Sequence, residues 1–269
     1  MAFRSPQETL AAVASSGCAK AALSWRRILV LGFLAGVYIA FGGLLAVMVG
    51  GGVPGLRESN PGLQKLLFGS VFPVGLVLVV LAGAELFTGN TACLIPPVFS
   101  KQAPWKSLLK NWTMSYAGNL LGSLFVAFFL VDRTGLLSAS PWRETAMGIA
   151  SAKVSAGFWP LFFKGIGCNW LVCLAVWMAV SADDAAGKIL AIWFPIMAFV
   201  AIGFEHSVAN MFFIPAGMFA GADVGWDDFF IRNLVPVTLG NIIGGSFFVG
   251  GMYHWIFRKA STGDGSGIR

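Results

Sequence analysis

Gly203-Phe204-Glu205-His206-Ser207-Val208-Ala209-Asn210-Met211 stands inside an apolar run that extends from Ile189 to about Ala222. One membrane span needs about 20 mostly apolar residues. This run is too long for one span, and it carries a carboxylate, an imidazole and an amide in its middle. An earlier run, Leu66 to about Pro97, is over-long in the same way and is interrupted by Glu85-Leu86-Phe87-Thr88-Gly89-Asn90. Glu-x4-Asn recurs at an offset of 120, and Ile-Pro follows each copy, at Ile95-Pro96 and Ile214-Pro215. Non-helical backbone at membrane depth is tolerated only where protein buries it or where it lines a cavity. The two interrupted runs therefore read as broken second and fifth helices, with Thr88-Gly89 and Ser207-Val208-Ala209 as the breaks.

Four uninterrupted runs complete the pattern: Ile28 to Val49, Trp112 to Val131, Phe158 to Val180 and Leu234 to Phe257. The likeness between the halves continues through them. Gly118-Asn119-Leu120-Leu121-Gly122-Ser123 matches Gly240-Asn241-Ile242-Ile243-Gly244-Gly245. Ala19-Lys20 precedes Gly32 as Ala152-Lys153 precedes Gly165. Spans one to three, about 19–131, thus repeat as spans four to six, about 152–257. Three is odd, so the second copy enters the bilayer from the opposite side. The fold class is an all-α membrane protein: six transmembrane helices in an inverted 3+3 repeat. Residues 1–257 form one channel domain, and 258–269 read as a flexible cytoplasmic tail. Paired interrupted helices at the interface of such repeats point to a substrate site near the midplane.

Composition agrees. Of 269 residues, 57% are hydrophobic and 11% are charged. A soluble domain carries about 25% charged residues, so a soluble or disordered chain is excluded. The net charge of +6 reports topology rather than nucleic-acid binding, because basic residues collect in cytoplasmic loops. With both termini inside, eleven Lys and Arg fall on the cytoplasmic side and six outside. A multi-pass protein of the cell membrane with cytoplasmic termini follows. The stretch from Met1 to Arg26 is mixed and polar, with no signal-peptide core. Cys18, Cys93, Cys168 and Cys173 show no metal or redox spacing, and no cofactor is expected.

Against that scarcity, the few polar residues within spans are informative. His206 is one of two histidines and lies at the interruption; an imidazole there can donate a hydrogen bond or a proton to a permeating weak acid. Glu85 and Glu205 occur once per break, which favours a structural role bonding the backbone donors freed there. Asn90 and Asn210 accompany them. Asn119, Asn241 and Asn169 either hold the broken segments or line the path. Lys20 and Lys153, as repeat mates, fall at opposite mouths and raise the local anion concentration. Gly32-x3-Gly36, Gly118-x3-Gly122 and Gly240-x3-Gly244 indicate close helix packing.

Two stretches resemble signatures of the formate/nitrite transporter family: Leu81-Ala82-Gly83-Ala84-Glu85-Leu86-Phe87-Thr88-Gly89, and Gly167 to Trp177 with Asn169 within it. Gly203 to Met211 and Pro236 to Gly245 are similar to its fifth-span and sixth-span cores. The resemblance runs from about Lys20 to Phe257. It implies an aquaporin-like fold, a homopentamer with one pore per protomer, and transport of small monovalent anions such as formate. It also implies roles: His206 as the central pore histidine with Thr88 as its polar neighbour, and Asn169 and Asn241 as pore or loop-holding asparagines. Leu86 and Phe72 would form the outer constriction, Leu76 and Phe199 the inner one, and Lys20 and Lys153 the vestibule lysines.

Rival readings are weaker. A neutral-solute channel of aquaporin type carries Asn-Pro-Ala at both breaks, whereas the one Asn-Pro here, Asn60-Pro61, lies in a loop. No serine–histidine pair, HExxH or paired aspartate within a span points to an enzyme. Nitrite, hydrosulfide and lactate stay open beside formate.

Overall fold

The structure, a computed structural model, describes residues 3–258. Six helices are long and apolar enough to cross a membrane: Trp25–Gly51, Pro61–Ala82, Trp105–Asp132, Phe158–Ser181, Ala185–Ile202 and Asp228–Phe257. No strand is built among the described residues. The tail expected at 258–269 lies, past Arg258, outside them.

Local chemistry sets the ends of these helices. Ser24, Asn60 and Asp184 cap the first, second and fifth spans by accepting from Arg27, Leu63 and Gly187 N–H, which satisfies donors that the first turn leaves open. The second span bends at Phe72-Pro73, where proline supplies no N–H to the helix. The second and fifth spans stop at Gly83 (φ 81°) and Gly203 (φ 89°). These are left-handed positions that cost a side-chain-bearing residue energy and glycine little.

The breaks therefore sit earlier than the sequence reading placed them. Ala84-Glu85-Leu86 and Phe204-Glu205-His206 are the non-helical residues, and new half-helices start at Phe87 and Ser207. Thr88-Gly89 and Ser207-Val208-Ala209 are their first turns. The positive-φ glycine, rather than the polar residues after it, ends each incoming helix. The N-terminal stretch read as mixed and polar contains a helix, Pro6–Ala22, started by a Ser5–Glu8 capping box.

Spans pair through glycine. Gly118 packs against the Leu29 carbonyl and the Gly32 backbone, and Gly165 against Val237 and Gly240. The first and third spans, and the fourth and sixth, thus approach backbone to backbone. The interior is polar where the spans meet: Asn111, Asn119, Asn169, Asn210, Asn233 and Asn241 are fully buried. Large apolar side chains such as Leu121, Phe163 and Phe247 face outward.

Candidate functional site

Each break carries a carboxylate, and neither carboxylate bonds the freed backbone. Glu85 Oε1 accepts from Lys20 Nζ at 2.7 Å, and its Oε2 accepts from Asn90 Nδ2 at 2.7 Å and Asn111 Nδ2 at 3.0 Å. Glu205 repeats this: Lys153 Nζ donates to Oε2 at 2.9 Å and Asn210 Nδ2 at 2.6 Å. Asn90 also donates to Asn111 Oδ1, and Asn210 to Asn233 Oδ1, both at 2.8 Å. A carboxylate in apolar surroundings must be paired, and the lysine with its asparagines does so. The expected backbone role is thus corrected: the donors are side chains brought from other helices.

The backbone role belongs to Asn119 and Asn241. Asn119 Oδ1 accepts from Phe87 N–H at 2.9 Å, and its amide donates to the Gly32 and Glu85 carbonyls. Asn241 Oδ1 accepts from Ser207 N–H at 2.9 Å, and its amide donates to the Gly165 and Glu205 carbonyls. Each asparagine closes one break against the neighbouring span. The structure gives Asn241 the same three backbone partners as Asn119, so its described contacts place it with the break-holding residues.

Two cavities flank the breaks. The larger, about 450 Å³, is lined by Val79, Val80, Gly83, Ala84, Glu85, Leu86, Gly89, Asn90 and Cys93, with Lys20. The smaller, about 160 Å³, is lined by Phe199, Val200, Gly203, Phe204, Glu205, His206, Ala209, Asn210 and Phe213, with Lys153. Every residue of the first nine lies 120 positions before its partner in the second nine. The repeat legible in sequence is thus also a repeat of cavity walls. The correspondence is one of position rather than of residue type, and it extends to a pair that differs in charge: Lys188 lines the first cavity, and Phe68, 120 before it, lines the second. Lys20 and Lys153 are each neutralised by a glutamate, and no described carboxylate pairs with Lys188. It was missed in the sequence as one more loop-side lysine. Its signal was its place in the first turn of a span, where the positive end of the helix disfavours a cation.

His206 joins the two walls. Its Nδ1 accepts from Ala209 N–H at 2.9 Å, which makes Nε2 the protonated nitrogen of the neutral ring. Nε2 stands 2.9 Å from Thr88 Oγ1. Thr88 lies between Leu86 and Gly89 of the first cavity, and its carbonyl accepts from Thr91, Asn169 and Cys173. Asn169 also bonds the Asn241 carbonyl at 2.6 Å, tying the two breaks together. His206 is stacked on Phe199 with ring centres 5.8 Å apart.

The apolar residues sort differently from the expectation. Phe72 meets Phe199 edge to face at 5.8 Å, and both line the smaller cavity. Leu76 and Leu86 line the larger one. Phe72 thus shares a cavity with Phe199, and Leu76 shares one with Leu86. Phe72 and Leu76 are one helical turn apart, about 6 Å in depth, so each belongs to a different side of the breaks.

The formate/nitrite transporter family model matches residues 7–255. A probable formate transporter from Methanothermobacter thermautotrophicus is 50% identical, over 96% of this chain and 98% of its own length. Among solved structures, an FNT family ion channel superposes with a TM-score of 0.84 at 35% identity, over 93% of this chain and 98% of the other. A pentameric formate channel with formate bound gives 0.76 at 35% identity, over 86% and 96%.

Proposed function

Since the chain belongs to the formate/nitrite transporter family, we propose that it conducts small monovalent anions of weak acids across the cell membrane, with formate as its substrate. The observation that carries this reading is the contact of His206 Nε2 with Thr88 Oγ1 between two lysine-bearing cavities. It makes one hydrogen-bonding pair between the walls of the two cavities. A charge at the bilayer centre costs on the order of 3 kcal/mol or more. The anion gathers in a cavity whose cations hold it, then passes Leu76 and Leu86 on one side and Phe72 and Phe199 on the other. Between them, the Nε2–H of His206 and the Thr88 hydroxyl replace lost water as hydrogen-bond donors, and a proton taken up from bulk solvent through cavity water neutralises the anion.

The working unit on this reading is a homopentamer with a pore in each protomer, and both termini face the cytoplasm. The formate-bound pentameric relative supports the assembly and the substrate. The chemistry on this reading is transport without catalysis, as the transporter family implies: the polar groups along the path bind the anion and replace its water.

The test is formate uptake into proteoliposomes by the full-length protein and by His206→Phe, across pH. Loss of flux together with loss of its pH dependence is expected. Undiminished flux with an unchanged pH profile would remove His206 from the mechanism, and absence of formate uptake by the unmodified protein would remove the substrate.

A further inference from the structure

Lys101 is the one non-glycine residue with positive φ among the described residues, at 59°. It ends the half-helix of the first repeat. There Lys101 N–H bonds the Val98 carbonyl and Gln102 N–H bonds the Pro97 carbonyl. The second repeat ends identically, with Gly221 N–H on Met218 and Ala222 N–H on Gly217. All four positions correspond at the offset of 120. The second repeat uses glycine, at φ 107°, which escapes the clash that a Cβ meets in this conformation. The first repeat keeps a lysine at a turn where its own counterpart demonstrates that glycine serves the backbone better. The side chain therefore compensates for the turn.

Lys101 lines a cavity of about 430 Å³ together with His254, Arg258, Phe99, Trp105 and Trp255. No carboxylate among the described residues lines it. His254 is 8% exposed; its ring meets Phe99 edge to face at 5.9 Å and takes no hydrogen bond from a described residue. Its ring nitrogens therefore open to the cavity and are available to a polar ligand there. Around it, Phe99, Trp105 and Trp255 are 50%, 56% and 71% exposed. Lys101 follows the second span and its half-helix, and Arg258 follows the sixth span, so both stand at the end of the bundle that also holds Lys20.

We propose that this cavity is a binding site for the phosphate headgroup of an anionic phospholipid, in the leaflet at the end of the bundle where Arg258 emerges. Two cations and an imidazole form a donor set for phosphate oxygens. The exposed aromatic faces suit the boundary between headgroup and acyl chain, where tryptophan concentrates. A free phosphate would use the cations but would leave those rings against water. An ordinary belt of interfacial residues would need neither a histidine without a protein partner nor a lysine held in the left-handed region.

The experiment is native mass spectrometry of the full-length protein with dioleoylphosphatidylglycerol, with dioleoylphosphatidylcholine, or with inorganic phosphate alone. Lys101→Gly and Arg258→Gln are the variants. The unmodified protein is expected to retain phosphatidylglycerol over phosphatidylcholine and to bind phosphate alone undetectably. Each substitution weakens phosphatidylglycerol retention about fivefold, since a basic residue near a lipid surface contributes on the order of 1 kcal/mol. Lys101→Gly is expected to melt no lower than the unmodified protein in phosphatidylcholine, because it installs the residue of the second repeat. Equal retention of both lipids, undiminished phosphatidylglycerol binding by both variants, phosphate binding as tight as the lipid's, or a lower melting point for Lys101→Gly would each overturn the proposal.

Discussion

His206 Nε2 and Thr88 Oγ1 are 2.9 Å apart, and the residues at the corresponding positions of the opposite repeats are Leu86 and Val208. The two halves match in the carboxylate clusters, in the asparagine clamps and in nine wall positions of each cavity. They part at the centre. One diagonal across the breaks is polar, His206 with Thr88; the other is apolar, Leu86 with Val208. A symmetric centre would offer two polar pairs and hold water, or none and admit no anion. The broken symmetry leaves one pair of hydrogen-bonding groups in apolar surroundings.

That asymmetry makes Thr88→Val a clean test, because Val208 shows that the fold accommodates valine there. The substitution removes a hydrogen bond worth about 1 kcal/mol, so formate flux is expected to fall roughly fivefold, with expression unchanged and the melting temperature lowered by only a few degrees. Thr88→Ser keeps the hydroxyl and is expected to restore flux. Equal flux from the valine and serine variants would sever the hydroxyl from transport.

Lys188 is expected to set anion capture at the larger cavity. The Lys20–Glu85 pair is neutral as a unit, and the smaller cavity has Phe68 where the larger has Lys188. Lys188→Gln should raise the half-saturating formate concentration several-fold and leave maximal flux nearly intact. It should also flatten the dependence of flux on ionic strength, because an unpaired cation in a cavity attracts anions by a field that salt screens. Uptake kinetics at two salt concentrations check this. A variant with unaltered half-saturation and salt response would assign Lys188 no part in capture.

Glu85→Gln removes the partner of a lysine whose side chain is 21% exposed. Leaving a largely buried cation unpaired costs about 3–5 kcal/mol when burial is complete, so roughly 2–4 kcal/mol is expected here. Thermal unfolding in detergent should show a clear fall in midpoint. Glu205→Gln should behave alike, since Lys153 is 16% exposed. Full stability in both variants would mean that the ion pairs do not hold the breaks.

Glycines should divide into two classes. A Cβ at Gly203 meets nothing within 4 Å, so Gly203→Ala costs only the left-handed backbone, about 1–2 kcal/mol. A Cβ at Gly118 would lie 2.5 Å from the Leu29 carbonyl and 2.8 Å from Phe33 N. Gly118→Ala must therefore push the first and third spans apart, and is expected to abolish assembly of a stable protein. Fluorescence-detected size exclusion distinguishes the two; comparable monodispersity would refute the close-packing argument.

The broad architecture was legible because membrane burial imposes a long-period signal. Six apolar runs, two of them over-long and broken, and a repeat in Glu, Asn, Lys and Gly positions follow from chain order alone. Those same polar residues marked the candidate site, since a charge or amide in lipid needs a reason to persist. The finer assignments were not legible. The positions of the breaks depended on Gly83 and Gly203 adopting positive φ, whereas the eye goes to the polar residues that follow. The helix at Pro6–Ala22 has too little apolar contrast to stand out, although Ser5 and Glu8 carried its capping signal.

The sequence by itself determined the spans, the breaks to within a few residues and the pairing of the two halves, because these depend on hydrophobicity and local backbone preference. Only the tertiary structure decided which side chain answers which. Lys20 reaches Glu85 across 65 positions and Asn241 holds a break 36 positions away. Phe72 meets Phe199 across 127 positions, and Lys188 shares a cavity with Lys20. Such partnerships are set by how the helices cross and at what depth each side chain leaves its helix, and no spacing along the chain encodes either.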